Sequence, residues 1–243
     1  MKTVLSTKIL TPSQKELFLN SGLGLVEYDA LKIEFLNVKI PLDCVNYIFT
    51  SKNAVKAFLN QTKDLNKTKF NAFCVGEKTK SILVENGLKV VAMAEYASEL
   101  AKNIVKRNQN ETFVFLCGNK RRDELPDVLT KHNVQYKEVE VYHTHLNPKA
   151  FQRDFDGILF FSPSGIRSYL SENSLGNSTL FCIGETTAAE AQKHSNHIII
   201  ANKPTVENVL VQAIKELSFR TDAERPPAGR AGSRSTMRNP KKP

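Results

Sequence analysis

The segment Ile48–Val55 (IFTSKNAV) decides the fold, because a matching segment, Leu159–Ile166 (LFFSPSGI), follows it about 110 positions later. A second pair, Val75–Thr79 (VGEKT) and Ile183–Thr187 (IGETT), repeats at nearly the same distance. Each segment is a short apolar run ending in small polar residues, which is typical of a buried strand leading into a helix. The sequence therefore predicts two related halves, each able to build an α/β layer.

Strand-like and helix-like runs alternate along the chain, which predicts an α/β protein with parallel sheets and helices on both faces. One helix is predicted to begin at a cap on Ser98. The strand–helix–strand piece at residues 3–30 is too small for a sheet of its own. We expect it to join the last block of the chain, while the similar piece at 112–142 joins the middle block. The predicted parts are lobe A (residues 1–31 and 147–219), lobe B (37–138) and a two-stranded crossing linker (32–36 and 139–146).

The composition is that of a soluble globular protein, with 41% hydrophobic and 24% charged residues. Because the chain has no long apolar run and no signal-peptide core, we expect a cytoplasmic protein that does not enter membranes. More than half of the net charge of +9 comes from residues 220–243, which are rich in Pro, Gly and Arg. We expect a disordered basic tail there, not a nucleic-acid-binding protein. The cysteines show no CxxC spacing and are predicted to be reduced thiols: Cys44, Cys74, Cys117 and Cys182.

Small polar residues follow the predicted strands in both halves and open the helices that come next. Helix N-termini hold anions, and parallel sheets bind ligands at the carboxyl ends of their strands. We expect two lobes facing each other across a cleft that takes a large ligand with many carboxylates or phosphates. Helix capping alone would explain any single one of these residues. The candidate binding residues are Ser51, Asn53, Gly76, Thr79, Gly118, Asn119, Ser162, Ser164, Gly165, Thr186 and Thr187.

Several familiar catalytic motifs are missing from the sequence: G-x-G-x-x-G after a strand, a complete P-loop, H-E-x-x-H and G-x-S-x-G. His143 and His145 alternate on an extended segment and share a face only with each other, so no metal site is predicted. Tyr142 is the candidate catalytic residue, because a phenol that overlooks a cleft can donate a proton to a leaving oxygen. The alternative is that Tyr142 covers the hinge between the lobes.

The repeated segments, together with Val141–Thr144 (VYHT), resemble the uroporphyrinogen-III synthase family in their order and spacing over residues 2–217. The resemblance implies two α/β lobes joined by a two-stranded linker. It also implies a cofactor-free enzyme, expected to be a monomer, whose substrate is hydroxymethylbilane, a linear tetrapyrrole with eight carboxylates. The implied reaction loses the terminal hydroxyl as water, inverts ring D through a spiro intermediate and closes the macrocycle. Such an enzyme is a cyclising hydro-lyase that forms uroporphyrinogen III on the route to heme.

Some residue roles follow only from this resemblance. Tyr142 falls on the family's functional tyrosine, proposed to assist departure of the hydroxyl. Substrate-contacting positions of the family fall on Thr79, Ser162, Thr186 and Thr187, and the residues after about Arg220 have no counterpart. One alternative function is a non-catalytic, two-lobed binding protein for a polyanionic metabolite, which would not need Tyr142. Another is an RNA-binding protein that uses the basic tail and binds with strong salt dependence.

Overall fold

The computed structural model describes residues 1–63 and 65–223. The strands are β1 (Thr3–Ser6), β2 (Gly24–Glu27), β3 (Leu31–Phe35), β4 (Asn46–Phe49), β5 (Asn71–Val75), β6 (Lys89–Ala94), β7 (Thr112–Gly118), β8 (Gln135–Leu146), β9 (Gly157–Phe160), β10 (Thr179–Cys182) and β11 (Ile198–Ile200). The helices are α1 (Pro12–Leu19), α2 (Lys52–Gln61), α3 (Glu77–Glu85), α4 (Ala97–Asn108), α5 (Glu124–Lys131), α6 (Pro163–Leu170), α7 (Glu185–Ala191) and α8 (Val206–Ala223).

These elements form two compact units. Unit 1 is Met1–Ala30 together with the described part of the chain from Pro148 onward, and unit 2 is Leu31–Asn147. Unit 1 contains a five-stranded sheet in the order β11-β10-β9-β1-β2, and all of its neighbouring strands are parallel. Unit 2 contains a six-stranded sheet in the order β3-β8-β7-β4-β5-β6. The predicted α/β class, with two parallel-dominated sheets flanked by helices, is confirmed.

The edge pair of the unit 2 sheet is antiparallel, whereas its other strands are parallel. Leu31 pairs with Leu146 and Phe35 with Tyr142 across β3 and β8, while the first half of β8 pairs in parallel with β7. Residues 32–36 and 139–146, which the sequence assigns to a crossing linker, thus lie mainly in β3 and in the second half of β8. Because β8 is one continuous strand, these residues extend the sheet.

Both sheets are covered by helices on two faces, which explains why strands such as β4, β9 and β10 are fully buried and largely apolar. In unit 2, Phe49 and Phe58 pack in the cluster on the α2 and α3 side. Phe115 belongs to the cluster on the opposite face, beside α4 and α5. Successive residues of a strand face opposite sides, so one strand supplies both clusters. Each fully buried Phe or Leu side chain contributes about 1.5–3 kcal/mol through loss of contact with water.

Capping side chains set half of the α-helix starts among the described residues, those of α1, α2, α6 and α8. Thr11 closes a capping box with Gln14 at the start of α1, and Thr205 accepts a hydrogen bond from the Asn208 backbone at the start of α8. The predicted cap on Ser98 is wrong, because α4 begins at Ala97 with Tyr96 at the N-cap position. Strand β6 runs on to Ala94, so the chain turns directly into the helix before Ser98 is reached.

The C-terminal prediction needs one correction. Helix α8 extends to Ala223, so the first residues of the segment 220–243 are helical and not part of a disordered tail. Residues 224–243 lie outside the described residues.

The cysteines of the structure are free thiols, as predicted. Burial raises the pKa of the Cys74 thiol to about 11 and that of the Cys182 thiol to about 12. Both therefore stay protonated near neutral pH. Among the described residues, no helix has the length and apolar character needed to cross a membrane.

Candidate functional site

The carboxyl edge of the unit 2 sheet carries the main cluster of candidate residues. Strands β4 and β7 are neighbours in the sheet and run in the same direction, so they end at the same edge. Ser51 follows β4 and caps α2, where its Oγ accepts a hydrogen bond from the Ala54 N–H at 3.1 Å. This edge therefore presents a helix N-terminus with its positive dipole end and free N–H groups.

Tyr142 reaches this edge because of an irregularity in the sheet. The β7–β8 register shifts between Cys117 and Gly118, so Cys117 pairs with Glu140 and Gly118 pairs with Tyr142. Val141 is the extra residue of this bulge, and bulges commonly re-aim a neighbouring side chain. The Tyr142 hydroxyl donates a hydrogen bond to Ser51 Oγ at 3.0 Å. The phenol of Tyr142 is thus held directly against the N-terminus of α2.

Gly118 makes room for that ring. A Cβ built on Gly118 would lie 2.5 Å from Cε2 and 2.9 Å from Cε1 of Tyr142. Distances of this size are far below van der Waals contact between carbon atoms, about 3.5–4.0 Å. The absence of a side chain at Gly118 is therefore a requirement of the observed Tyr142 orientation.

Tyr142, Ser51 and Gly118 line a pocket of about 360 Å³ in unit 2. Three consecutive basic residues, Lys120–Arg122, line the same pocket. Glu138 and Asp123 both pair with Arg121, and their hydrogen bonds raise the pKa of its guanidinium. Arg122 in turn pairs with Glu124 at 3.6 Å. The pocket thus combines a hydroxyl donor, a helix N-terminus and a basic wall whose two arginines have carboxylate partners.

Asn119 connects this basic loop to β8. Its Oδ1 accepts a hydrogen bond from the Thr144 N–H at 2.9 Å, and its own N–H donates to the Tyr142 carbonyl at 3.3 Å. Asn119 was predicted to contact substrate, and the structure shows that its side-chain oxygen is used to hold the loop.

The other predicted residues of unit 2 lie outside the residues that line this pocket. Gly76 is the N-cap of α3 and has φ of 83°, a left-handed conformation that glycine adopts without strain. Thr79 is 5% exposed on the same helix, so its side chain packs inward. Asn53 is partly buried in the first turn of α2.

In unit 1, the repeated segments form the corresponding strand-to-helix turns. Ser162 caps α6 by accepting from the Gly165 N–H at 3.1 Å, and Arg167 donates to Ser164 at 3.4 Å. Thr186 is exposed at the start of α7, whereas Thr187 is 1% exposed. Ser162 therefore repeats the capping role of Ser51.

Sequence reasoning missed part of the pocket wall. Glu95 and Tyr96, which follow β6, line the pocket, and so does Glu124 at the start of α5. Tyr96 is 71% exposed. A signal for the first two was present, since β6 is parallel to β5 and must end at the same edge. The predicted binding residues lie at or after the ends of β4, β5, β7, β9 and β10, and none of them follows β6.

One group of side chains in unit 2 has the geometry to hold a metal ion. Glu34, His143 and His145 place one ligand atom each within 4.8 Å of the other two. Sequence spacing could not identify Glu34, because it lies on a different strand.

Comparisons with known proteins agree on one family. The family model described as Uroporphyrinogen-III synthase HemD matches residues 16–210. A curated relative, the "Porphyrin biosynthesis protein HemD" of Ruminiclostridium josui, is 25% identical over 252 aligned positions that cover 86% of this chain and 48% of the relative. The chain thus spans about half the length of the curated relative it matches.

Solved structures show the same fold. The uroporphyrinogen-III synthetase of Helicobacter pylori matches with a TM-score of 0.70 and 20% identity, over 89% of this chain and all of the other. A mutant uroporphyrinogen III synthase of Thermus thermophilus matches with a TM-score of 0.59 and 13% identity, over 91% and 100% of the two chains. Since the family model matches well over half of the residues, the chain belongs to the uroporphyrinogen-III synthase family.

Proposed function

We propose that the chain is a uroporphyrinogen-III synthase, a hydro-lyase that dehydrates and cyclises hydroxymethylbilane with inversion of ring D. Family membership supports the reaction class. The main structural support for the proposal is the position of the Tyr142 hydroxyl, which lies 3.0 Å from Ser51 Oγ in a pocket lined by Lys120–Arg122. A proton donor beside a basic wall suits a substrate with many carboxylates and one hydroxyl to lose.

The size of the pocket indicates which part of the substrate it takes. Its volume of about 360 Å³ lies near the lower end of the range for drug-sized ligands, about 300–1,000 Å³. A linear tetrapyrrole with eight carboxylates is larger than that. We assign the pocket to the reacting end of the substrate, with its hydroxymethyl group near Tyr142. Carboxylates of that end bind Lys120, and bind Arg122 in place of its partner Glu124, through charge-assisted hydrogen bonds.

The first chemical step breaks the C–O bond of the hydroxymethyl group. Tyr142 gives its proton to the departing oxygen, which leaves as water, and the pyrrole that carried the hydroxymethyl group becomes a cationic azafulvene that keeps its N–H. The Ser51 hydroxyl then donates to the phenolate oxygen of Tyr142, because the phenol no longer donates to it. The N-terminus of α2, capped by Ser51, further stabilises this negative charge.

The later steps depend on positioning. Ring D attacks the azafulvene carbon to form the spiro intermediate, which rearranges and closes the macrocycle. The pyrrole carbon that forms the last bond releases one proton, which restores the Tyr142 hydroxyl, so the net change is loss of one water. The substrate also cyclises unaided without inversion, so the protein must hold the two ends in the geometry that favours the spiro route.

The remaining candidate residues are proposed as substrate contacts. In unit 2 these are Asn53, Gly76, Thr79, Gly118 and Asn119, and in unit 1 they are Ser162, Ser164, Gly165, Thr186 and Thr187. Thr79 and Thr187 are buried, and their backbone N–H groups donate to the carbonyls of Gly76 and Gly184. Their contribution would therefore be to shape the N-termini of α3 and α7. We further propose that the protein acts as a monomer in the cytoplasm and binds neither nucleic acid nor membrane. Light scattering of the purified chain tests the monomer.

The test is product analysis. The purified full chain is mixed with hydroxymethylbilane, and the oxidised products are separated into the type I and type III isomers. We expect type III to predominate, while a sample without protein gives type I. If the chain binds the substrate but only type I forms at the spontaneous rate, the protein is a binding protein for polyanionic metabolites and the catalytic proposal fails.

A further inference from the structure

We propose that the β3–β8 ladder carries a binding site for a divalent transition-metal ion of the zinc class, formed by Glu34, His143 and His145. The ladder is the antiparallel edge pair of the unit 2 sheet. Glu34 pairs directly with His143, and His145 follows two residues later on the same face of β8. Opposed residues of an antiparallel pair have Cβ atoms about 4.5–5.5 Å apart, which brings their side-chain ends within reach of one ion.

The imidazole nitrogens already face carboxylate oxygens. Glu34 Oε2 lies 2.8 Å from His145 Nε2, and Glu140 Oε1 lies 2.8 Å from His143 Nε2. The two imidazole centroids are 5.6 Å apart. Each nitrogen is therefore directed at an anionic oxygen, as it would be at a cation placed between them. A metal ion would take the place of the Glu34–His145 hydrogen bond, while Glu140 lies beside His143 as a second carboxylate.

The movement needed to admit an ion is small. Zinc binds imidazole nitrogen and carboxylate oxygen at about 2.0–2.2 Å, so a tetrahedral site holds ligand atoms about 3.3 Å apart. The 2.8 Å pair of Glu34 and His145 must open by about half an ångström. The atoms of Glu34, His143 and His145, which lie within 4.8 Å of one another, must draw together. Glu34 and His145 are exposed, so rotamer changes can supply this without moving the strands.

The charges at the site favour a cation. Lys32 lies on the same face of β3 and pairs with His145, so it contributes one positive charge. Glu34 and Glu140 contribute two negative charges, and neutral imidazoles add none. A set of two imidazoles and one carboxylate, with water in the fourth position, is typical of zinc and its neighbours. Calcium and magnesium prefer oxygen ligands alone.

This site is separate from the proposed catalytic chemistry. Tyr142 pairs with Phe35, one position along the ladder from the Glu34–His143 pair, and successive side chains of a strand point to opposite faces. A bound ion would cross-link β3 to β8, two strands that are far apart in the sequence. It would lie near Leu31 and Leu146, where the chain enters and leaves unit 2.

The experiment is calorimetric titration of zinc chloride into the full chain, which must carry no polyhistidine tag. We expect one ion per chain with a dissociation constant on the order of a micromolar. His145→Asn and the isosteric Glu34→Gln should each weaken binding at least about tenfold, because losing even a hydrogen-bond partner of a metal ligand costs about 10–100-fold in affinity. His194→Asn, which removes an exposed histidine of unit 1, is the matched control and should bind as the parent does.

A second readout identifies the ligands and keeps the test independent of folding. Cobalt should give the visible absorption of nitrogen and oxygen coordination, and this signal should disappear in His145→Asn but persist in Cys44→Ser. Melting temperatures without metal should agree among the parent, Glu34→Gln and His194→Asn. The proposal is overturned if zinc does not bind below about 100 micromolar, or if Glu34→Gln and His145→Asn bind as tightly as the control.

Discussion

Gly118 and Tyr142 lie directly opposite each other on β7 and β8, and the tyrosine ring fills the space that a side chain on Gly118 would need. The bulge at Val141 produces this pairing at the point where β7 ends. The glycine therefore determines where the Tyr142 hydroxyl lies relative to Ser51, which follows the neighbouring strand β4. The geometry of the candidate site depends on this contact as much as on the polar groups.

Gly118→Ala should displace the Tyr142 ring and lower kcat roughly as much as loss of its hydroxyl does, since a shift of about 1 Å can cost about 100-fold. It should also destabilise the fold by about 1–3 kcal/mol through overpacking. Both quantities are measured by steady-state assay and chemical denaturation. Gly184→Ala is the control, because a Cβ there meets nothing within 4 Å.

A double-mutant cycle tests the cause of the Gly118 effect. In a Tyr142→Ala background the ring is gone, so Gly118→Ala should cost much less stability than it does in the parent chain. The coupling energy should be at least about 1 kcal/mol, as for residues in direct contact. Equal costs in both backgrounds would show that Gly118 is constrained by something other than the tyrosine.

Ser51→Ala should affect both stability and activity. The loss of the cap on α2 should lower the free energy of unfolding by about 1 kcal/mol. Because the Tyr142 hydroxyl also loses its hydrogen-bond partner, kcat of the folded variant should fall by roughly tenfold relative to the parent chain. The repeat supplies the comparison: Ser162→Ala removes the equivalent cap of α6 and should cost similar stability but less activity. Similar losses of activity in both variants would argue against a role for Ser51 at Tyr142.

Two buried tyrosines should respond differently to loss of their hydroxyls. The Tyr28 hydroxyl is buried without a hydrogen-bond partner among the described residues, so Tyr28→Phe should be neutral or stabilise the fold by up to about 1 kcal/mol. The Tyr47 hydroxyl donates to the Pro41 carbonyl, so Tyr47→Phe should destabilise by about 1 kcal/mol. Thermal or urea unfolding of the two variants measures the difference, and a clear loss of stability in Tyr28→Phe would contradict it.

Much of the fold could be predicted because its signals are local and repeated. Apolar runs followed by capping residues, such as Phe49 before Ser51, mark strands and helix starts without knowledge of the rest of the chain. The cap on Ser98 was predicted wrongly because the length of β6, not a capping side chain, decides where α4 begins. Propensity carries no information about how far a strand extends.

The site was less predictable because it depends on register. The sequence identified Tyr142, Ser51 and Gly118 as separate candidates, but nothing in it showed that a bulge would bring all three together. Glu34 belongs to no recognisable sequence motif. It becomes a candidate metal ligand only because it pairs with His143 across the β3–β8 ladder. Pairings between strands that are far apart in sequence are the physical information that local patterns do not contain.

Tyr142→Phe is the most direct test of the proposed chemistry. The substitution removes one oxygen and leaves the ring that Gly118 accommodates, so the free energy of unfolding should change by no more than about 1 kcal/mol. If the hydroxyl protonates the leaving oxygen, kcat should fall by roughly 100-fold, within the usual range of general acid effects. The fraction of type I product should rise, because unaided cyclisation without inversion then competes. KM should change little, since the basic wall that binds the carboxylates is intact. Activity and type III selectivity equal to those of the parent would show that Tyr142 only covers the edge of the sheet, and the reaction would then depend on positioning by the backbone.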